Sequence, residues 1–195
     1  MNPTMIVLAG PNGAGKSTLY ANRVEPSFAG PFINADIIQR DELHDPSPQA
    51  SYEAARIASA RRAEHLAQGR DFVTETVFSH PSKLALIDDA HANGFTVIVM
   101  HVGVDTPELS VARVGARVEE GGHIVPEDKI RARYDRSAPF IREAVLRADR
   151  GMVFDNSSLN QPPRHCLTFA DGRLVFALPC LPTWIRATYE ADLIV

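Results

Sequence analysis

Nine residues near the start of the chain constrain its fold more than any other stretch: Gly10-Pro11-Asn12-Gly13-Ala14-Gly15-Lys16-Ser17-Thr18. They read as glycine, four residues, then Gly-Lys-Ser, the full phosphate-binding loop pattern. The run before them, Met5-Ile6-Val7-Leu8-Ala9, is short and apolar like a buried strand, and Ser17-Thr18-Leu19-Tyr20 after them can open a helix. Strand, loop and helix in that order are the context this motif requires. Gly10, Gly13 and Gly15 let the backbone turn tightly and aim N–H groups at phosphate oxygens. Lys16 would hold the β- and γ-phosphates, and the Ser17 hydroxyl would face Mg²⁺, which prefers hard oxygen ligands. Lysine is scarce, with Lys16, Lys83 and Lys129 set against seventeen arginines, so its presence at the motif position is informative.

The 195 residues suit one domain with a substantial core. Short apolar runs alternate with helical patterns along the chain, which implies a mostly parallel sheet covered on both faces. Five core strands are expected near residues 5–9, 32–36, 71–76, 95–102 and 151–155. Ser47-Pro48 reads as a cap and first turn for a long alanine-rich helix ending at Gly69. The stretch 41–48 reads as loop. Thr106-Pro107 opens a helix to about Glu119, Gly121-Gly122-His123 breaks it, and Pro126 starts another. Asp171-Gly172 between two apolar runs predicts a hairpin, followed by a loop and a short helix. The expected division is a kinase-like unit over 1–160, with a lid near 110–137, and a hairpin and tail over 161–195 packed on the same unit.

In parallel sheets, ligands bind beyond the carboxyl ends of the strands. Polar residues collect there: the phosphate loop, Asn34 and Asp36, Glu75 and Thr76, Asp105, and Asp155-Asn156-Ser157. Moving a phosphoryl group to an alcohol requires a carboxylate to take the proton and cations over the transferring oxygens. Asp36 is the candidate base, with a helix N-cap as its plain structural alternative. Glu75 is a candidate substrate or magnesium-orienting acid, with a solvated strand-end charge as the alternative. Eight arginines lie between Arg113 and Arg150, and the Gly121-Gly122 break would let those on the two flanking helices close over a substrate. Arg113, Arg117, Arg131 and Arg133 are the candidates in that lid.

With Asn-Ala-Asp at 34–36, Glu-Thr at 75–76, Arg-Val-Glu-Glu-Gly-Gly-His-Ile-Val-Pro at 117–126 and Arg-Ala-Arg-Tyr at 131–134 beside the phosphate loop, the chain resembles the zeta-toxin-like P-loop kinases over residues 4–157. The resemblance implies a nucleoside-monophosphate-kinase-like fold and phosphorylation of UDP-N-acetylglucosamine or another small alcohol, including an antibiotic. ATP or GTP and Mg²⁺ would serve as cofactors. It assigns phosphate binding to Lys16, the base to Asp36, a substrate-site acid to Glu75, and charge stabilisation to Arg117 and Arg133, with Arg131 the alternative to Arg133. Asn34, Thr76, Arg113 and Arg131 complete the expected substrate contacts. An antitoxin partner would be in keeping with the family.

Other readings fit less well. ABC-type ATPases share the loop wording but need a Leu-Ser-Gly-Gly-Gln-type signature and a strand ending in Asp-Glu, and the chain has neither. A polynucleotide kinase would bring a long basic groove, against which stand a net charge of −4 and the few lysines. A module holding ATP without turnover would not need Asp36 and Glu75. No apolar run approaches the ~20 residues of a membrane span, Met1-Asn2-Pro3-Thr4 does not look like a secretion signal, and Cys166 and Cys180 lack a metal-ligand pattern. A reducing cytoplasm is the expected location.

Overall fold

The computed structural model describes residues 2–119 and 125–193. Seven strands, β1 (Thr4–Ala9), β2 (Phe32–Ile33), β3 (Phe72–Thr76), β4 (Thr96–Gly103), β5 (Arg150–Asp155), β6 (Arg164–Ala170) and β7 (Arg173–Ala177), form one sheet in the order β2-β3-β1-β4-β5-β6-β7. The first five run parallel, and β5, β6 and β7 pair antiparallel. The expected five-stranded sheet is thus present, and the hairpin extends it instead of forming a separate layer. Among the described residues, no helix is long and apolar enough to cross a membrane.

The helices are α1 (Lys16–Leu19), α2 (Ala35–Ile38), α3 (Pro48–Gln68), α4 (Ala85–Ala92), α5 (Pro107–Glu119), α6 (Glu127–Arg147) and α7 (Thr183–Tyr189). Ser47 caps α3 as expected, its hydroxyl accepting from Ala50 N at 3.2 Å. Two segments differ from the sequence reading. The second strand stops at Ile33, because the Asn34 side chain accepts from the backbone N of Asp36 and Ile37 and starts α2 there. Residues Gln39–Leu43 are π-helical, which takes in the first part of the loop expected at 41–48, and the Gln39 amide, donating to Asp45 O and Ser47 O, ties that turn to the start of α3.

Alternation along the central strands builds two cores, one on each face of the sheet. Met5, Val7 and Ala9 of β1 and Val97 and Val99 of β4 pack with Ala54 and Ala58 of α3, Ile87 of α4, Ile141 and Val145 of α6, and Ile185 and Tyr189 of α7. Ile6 and Leu8 of β1 and Met100 and Val102 of β4 pack on the opposite face with Leu19, Val24 and Phe154. Because β1 is buried on both sides, the loop that follows it rests on a rigid support.

Candidate active site

The loop after β1 is shaped by its glycines in two ways. Gly15 has φ 95°, and a Cβ there would meet the Asn156 amide at 2.2 Å, so any other residue would be both strained and blocked. Gly10 is needed for a different reason: a Cβ would lie 2.1 Å from Val102 O, so its bareness lets the loop pack on β4. The Asn156 side chain donates to Ala14 O at 2.9 Å, a tie from the end of β5 that the sequence reading did not foresee. Its position in the polar strand-end cluster was the available signal.

Lys16 is buried, and its Nζ donates to Gly10 O at 3.0 Å and Pro11 O at 3.1 Å. It also stands 3.6 Å from Glu75 Oε1. The other Glu75 oxygen accepts from the Asn34 amide at 3.0 Å. Asn34 therefore both caps α2 and orients Glu75, which joins the ends of β2 and β3 to the loop lysine. Glu75 is not a solvated strand-end charge, since only 16% of its side chain is exposed. Asp36 is not the helix cap either: Asn34 holds that role, and Asp36 stands exposed in the first turn of α2.

These residues open on a polar cavity of about 330 Å³. Asn12, Gly13 and Lys16 form one wall, Asn34, Asp36, Glu75 and Thr76 another, and Lys129 and Arg133 of α6 face them. Arg133 donates to Asn12 Oδ1 at 3.3 Å, which brings α6 down onto the loop. Four residues earlier on the same helix face is Lys129, and no carboxylate lies within ion-pair distance of it among the described residues. Its place at the cavity was missed in the sequence, although its i, i+4 relation to Arg133 and the scarcity of lysine both pointed there.

Two of the expected substrate arginines are not brought to the cavity. Arg131 is held by Glu108 of α5 and by Glu127 one turn back on α6, and those carboxylates raise its pKa further. Arg113 lies against the segment after β5, donating to Ser158 O at 3.4 Å, and burial lowers its pKa while the Asp155 charge opposes the shift. The Arg117 side chain and the Gly121-Gly122-His123 break fall outside the described residues. Ser17 and Thr18 are exposed where α1 begins. Ser17 thus offers one free-standing hard oxygen, and no cluster of three or more metal-binding side chains occurs among the described residues.

Sheet order and loop position define the P-loop fold class, with the phosphate-binding loop between β1 and α1 at the carboxyl edge of the parallel strands. The family model described as zeta toxin matches residues 1–160. An uncharacterized protein of Haemophilus influenzae is 31% identical over 135 residues, covering 69% of this chain and 94% of that one. The chain belongs to the zeta toxin family. Among solved structures, a chain of the AvrRxo1-ORF1:AvrRxo1-ORF2 complex with ATP superposes with a TM-score of 0.72 at 14% identity, over 98% of this chain and 63% of that one. The chain thus spans somewhat under two thirds of the length of that neighbour. The PezAT toxin-antitoxin system of Streptococcus pneumoniae gives a TM-score of 0.59 at 14% identity, covering 98% of this chain and 78% of its own. At such identities these two likenesses concern the fold.

Proposed function

We propose that this protein transfers the terminal phosphoryl group of ATP or GTP to a hydroxyl of a small polar acceptor, with UDP-N-acetylglucosamine the first candidate. The observation that carries this reading is the single cavity shared by Lys16, the Asn34–Glu75 pair, Asp36 and Arg133. The family and the ATP in the AvrRxo1 complex support the nucleotide half of it.

In this reading the phosphates lie along residues 10–18, and the Lys16 ammonium exchanges its carbonyl partners for phosphate oxygens. Asn34 fixes Glu75, which holds the lysine in place and orients the acceptor with Thr76. The exposed Asp36 carboxylate takes the acceptor's proton as the new O–P bond forms and the bond to the nucleotide's β-phosphate breaks. Arg133, joined by Arg117, stabilises the charge spread over the transferring oxygens, and Lys129 holds an anionic part of the acceptor. Mg²⁺ fits the donor chemistry only as a companion of the nucleotide: Ser17 would give it one oxygen, and phosphates and water the rest. Bound there, it would neutralise charge on the phosphates. A protein partner that restrains the enzyme belongs to the same reading, since both structural neighbours come from two-component complexes.

The test is incubation with γ-labelled ATP and Mg²⁺ across a panel of acceptors headed by UDP-N-acetylglucosamine, with Lys16→Ala as the blank. Label on the sugar nucleotide supports the full reading. Label on another small alcohol retains the kinase and replaces the acceptor, and no Lys16-dependent transfer to any acceptor refutes it.

A further inference from the structure

The zeta toxin match ends at residue 160, and nothing in the proposed reaction uses the hairpin or α7. Yet the tail contributes Trp184, the only tryptophan of the chain, to the end of the sheet that carries the site. Its ring lies on Gly103 at the end of β4, where a Cβ would meet the indole at 2.5 Å. It meets His101 edge to face, with centroids 5.1 Å apart. His101 is itself buried and bonded to the Tyr189 hydroxyl at 2.8 Å, with burial lowering its pKa to about 3, so one neutral imidazole meets both ends of α7.

The indole N–H then does something that packing alone does not require. It donates to Asp155 Oδ1 at 2.9 Å, and the same oxygen accepts from the Ser157 hydroxyl at 2.6 Å. Only 7% of the Asp155 side chain is exposed, so these donors replace the water that a buried carboxylate has lost. The residue that follows is Asn156, whose backbone N donates to Gly103 O at 2.9 Å and whose amide holds Ala14 O, two residues before Lys16. Trp184 thus packs on Gly103 while Asn156 bonds to its carbonyl, and Asp155 links the two, by a hydrogen bond to Trp184 and by the peptide bond to Asn156.

We propose that Trp184 is a positioning residue for the nucleotide: through Asp155 it sets Asn156, and Asn156 sets the phosphate loop. The C-terminal segment is therefore part of the nucleotide site and not an appendage. This inference rests on the nucleotide reading given above, and the test separates the two.

ATP with Mg²⁺ is titrated into the full-length protein, with binding read by calorimetry and by the emission of the single tryptophan. The indole emission of the native protein should change with the same midpoint as the calorimetric curve. Trp184→Phe keeps an aromatic side chain but removes the indole donor together with the second ring, and should weaken binding about fivefold to tenfold. Asn156→Ala should weaken it at least as much, and the double variant should bind no more weakly than Asn156→Ala alone, because the two act in series. Binding by Trp184→Phe equal to native, or losses that multiply in the double variant, would overturn the proposal. So would native emission unmoved at saturation, a readout that needs no variant. A native protein that does not bind ATP with Mg²⁺ at all would remove the nucleotide reading and this inference together.

Discussion

The phosphate loop and the cavity face of α6 meet across one cavity but are specified by opposite means. In the loop, the placing of Lys16 and the turn at Gly15 can be read from residues within the motif. Lys16 folds back on the carbonyls of Gly10 and Pro11, and Gly15 supplies the left-handed turn directly before it. Along α6 the neighbours in sequence decide nothing. Arg131 and Arg133 are two residues apart, about 200° around the helix, and they do different things: Arg131 is taken up by Glu108 and Glu127, while Arg133 reaches Asn12 and the cavity. A loop motif can be read by spacing alone, whereas a helix face is assigned only once its packing is known.

The comparison breaks first if the loop is not the indispensable half. Lys16→Ala should abolish transfer of γ-label from ATP while the protein still melts cooperatively, because the ammonium's partners are loop carbonyls and Glu75 at the cavity. Any transfer above a few per cent of native would shift the essential contact elsewhere. The next largest effect belongs to Asp36→Asn. It should reduce kcat by ~10²-fold or more, with ATP binding within about twofold of native, since Asp36 stands exposed in the first turn of α2 and not in the loop. Normal turnover in this variant would end its assignment as base.

Where the sequence was readable, the signal was local. The strand before the loop, the Ser47 cap, the Asp171-Gly172 hairpin and the five parallel strands all follow from patterns within a few residues. The stop of β2 at Ile33 was hidden, because Asn34 is compatible with a strand end and with a cap, and only its bonds to Asp36 N and Ile37 N choose the cap. In the site, Lys16, Asn34, Asp36, Glu75 and Arg133 could be named from motif and resemblance. Asn156 was placed only in the polar cluster at the strand ends, and Trp184 was not singled out, because their partners are 142 and 29 residues away and no spacing rule spans that distance. Arg113 and Arg131 were expected at the substrate and lie outside the cavity for the reverse reason. A cluster of arginines in sequence says nothing of which carboxylates lie within reach.

The two arginines of α6 give the sharper test, since they are alike in chemistry and differ only in phase. Arg133→Ala removes a cation from the cavity beside the loop and should lower kcat by ~10–10²-fold, because a guanidinium over the transferring oxygens acts mainly in the transition state. Lys129→Ala should act on the other partner, raising the acceptor KM by about fivefold with a smaller change in kcat, as expected for a contact that is equal in ground and transition states. Arg131→Ala removes two exposed ion pairs and should leave both constants within about twofold, with melting nearly unchanged. The informative outcome is the order and not any single value. If Arg131→Ala proved as damaging as Arg133→Ala, closure over substrate must turn or shift α6 and release Arg131 from Glu108, and the phase read from this structure would describe only the open enzyme. If Arg133→Ala alone is damaging, the face of α6 that meets Asn12 is already the catalytic face.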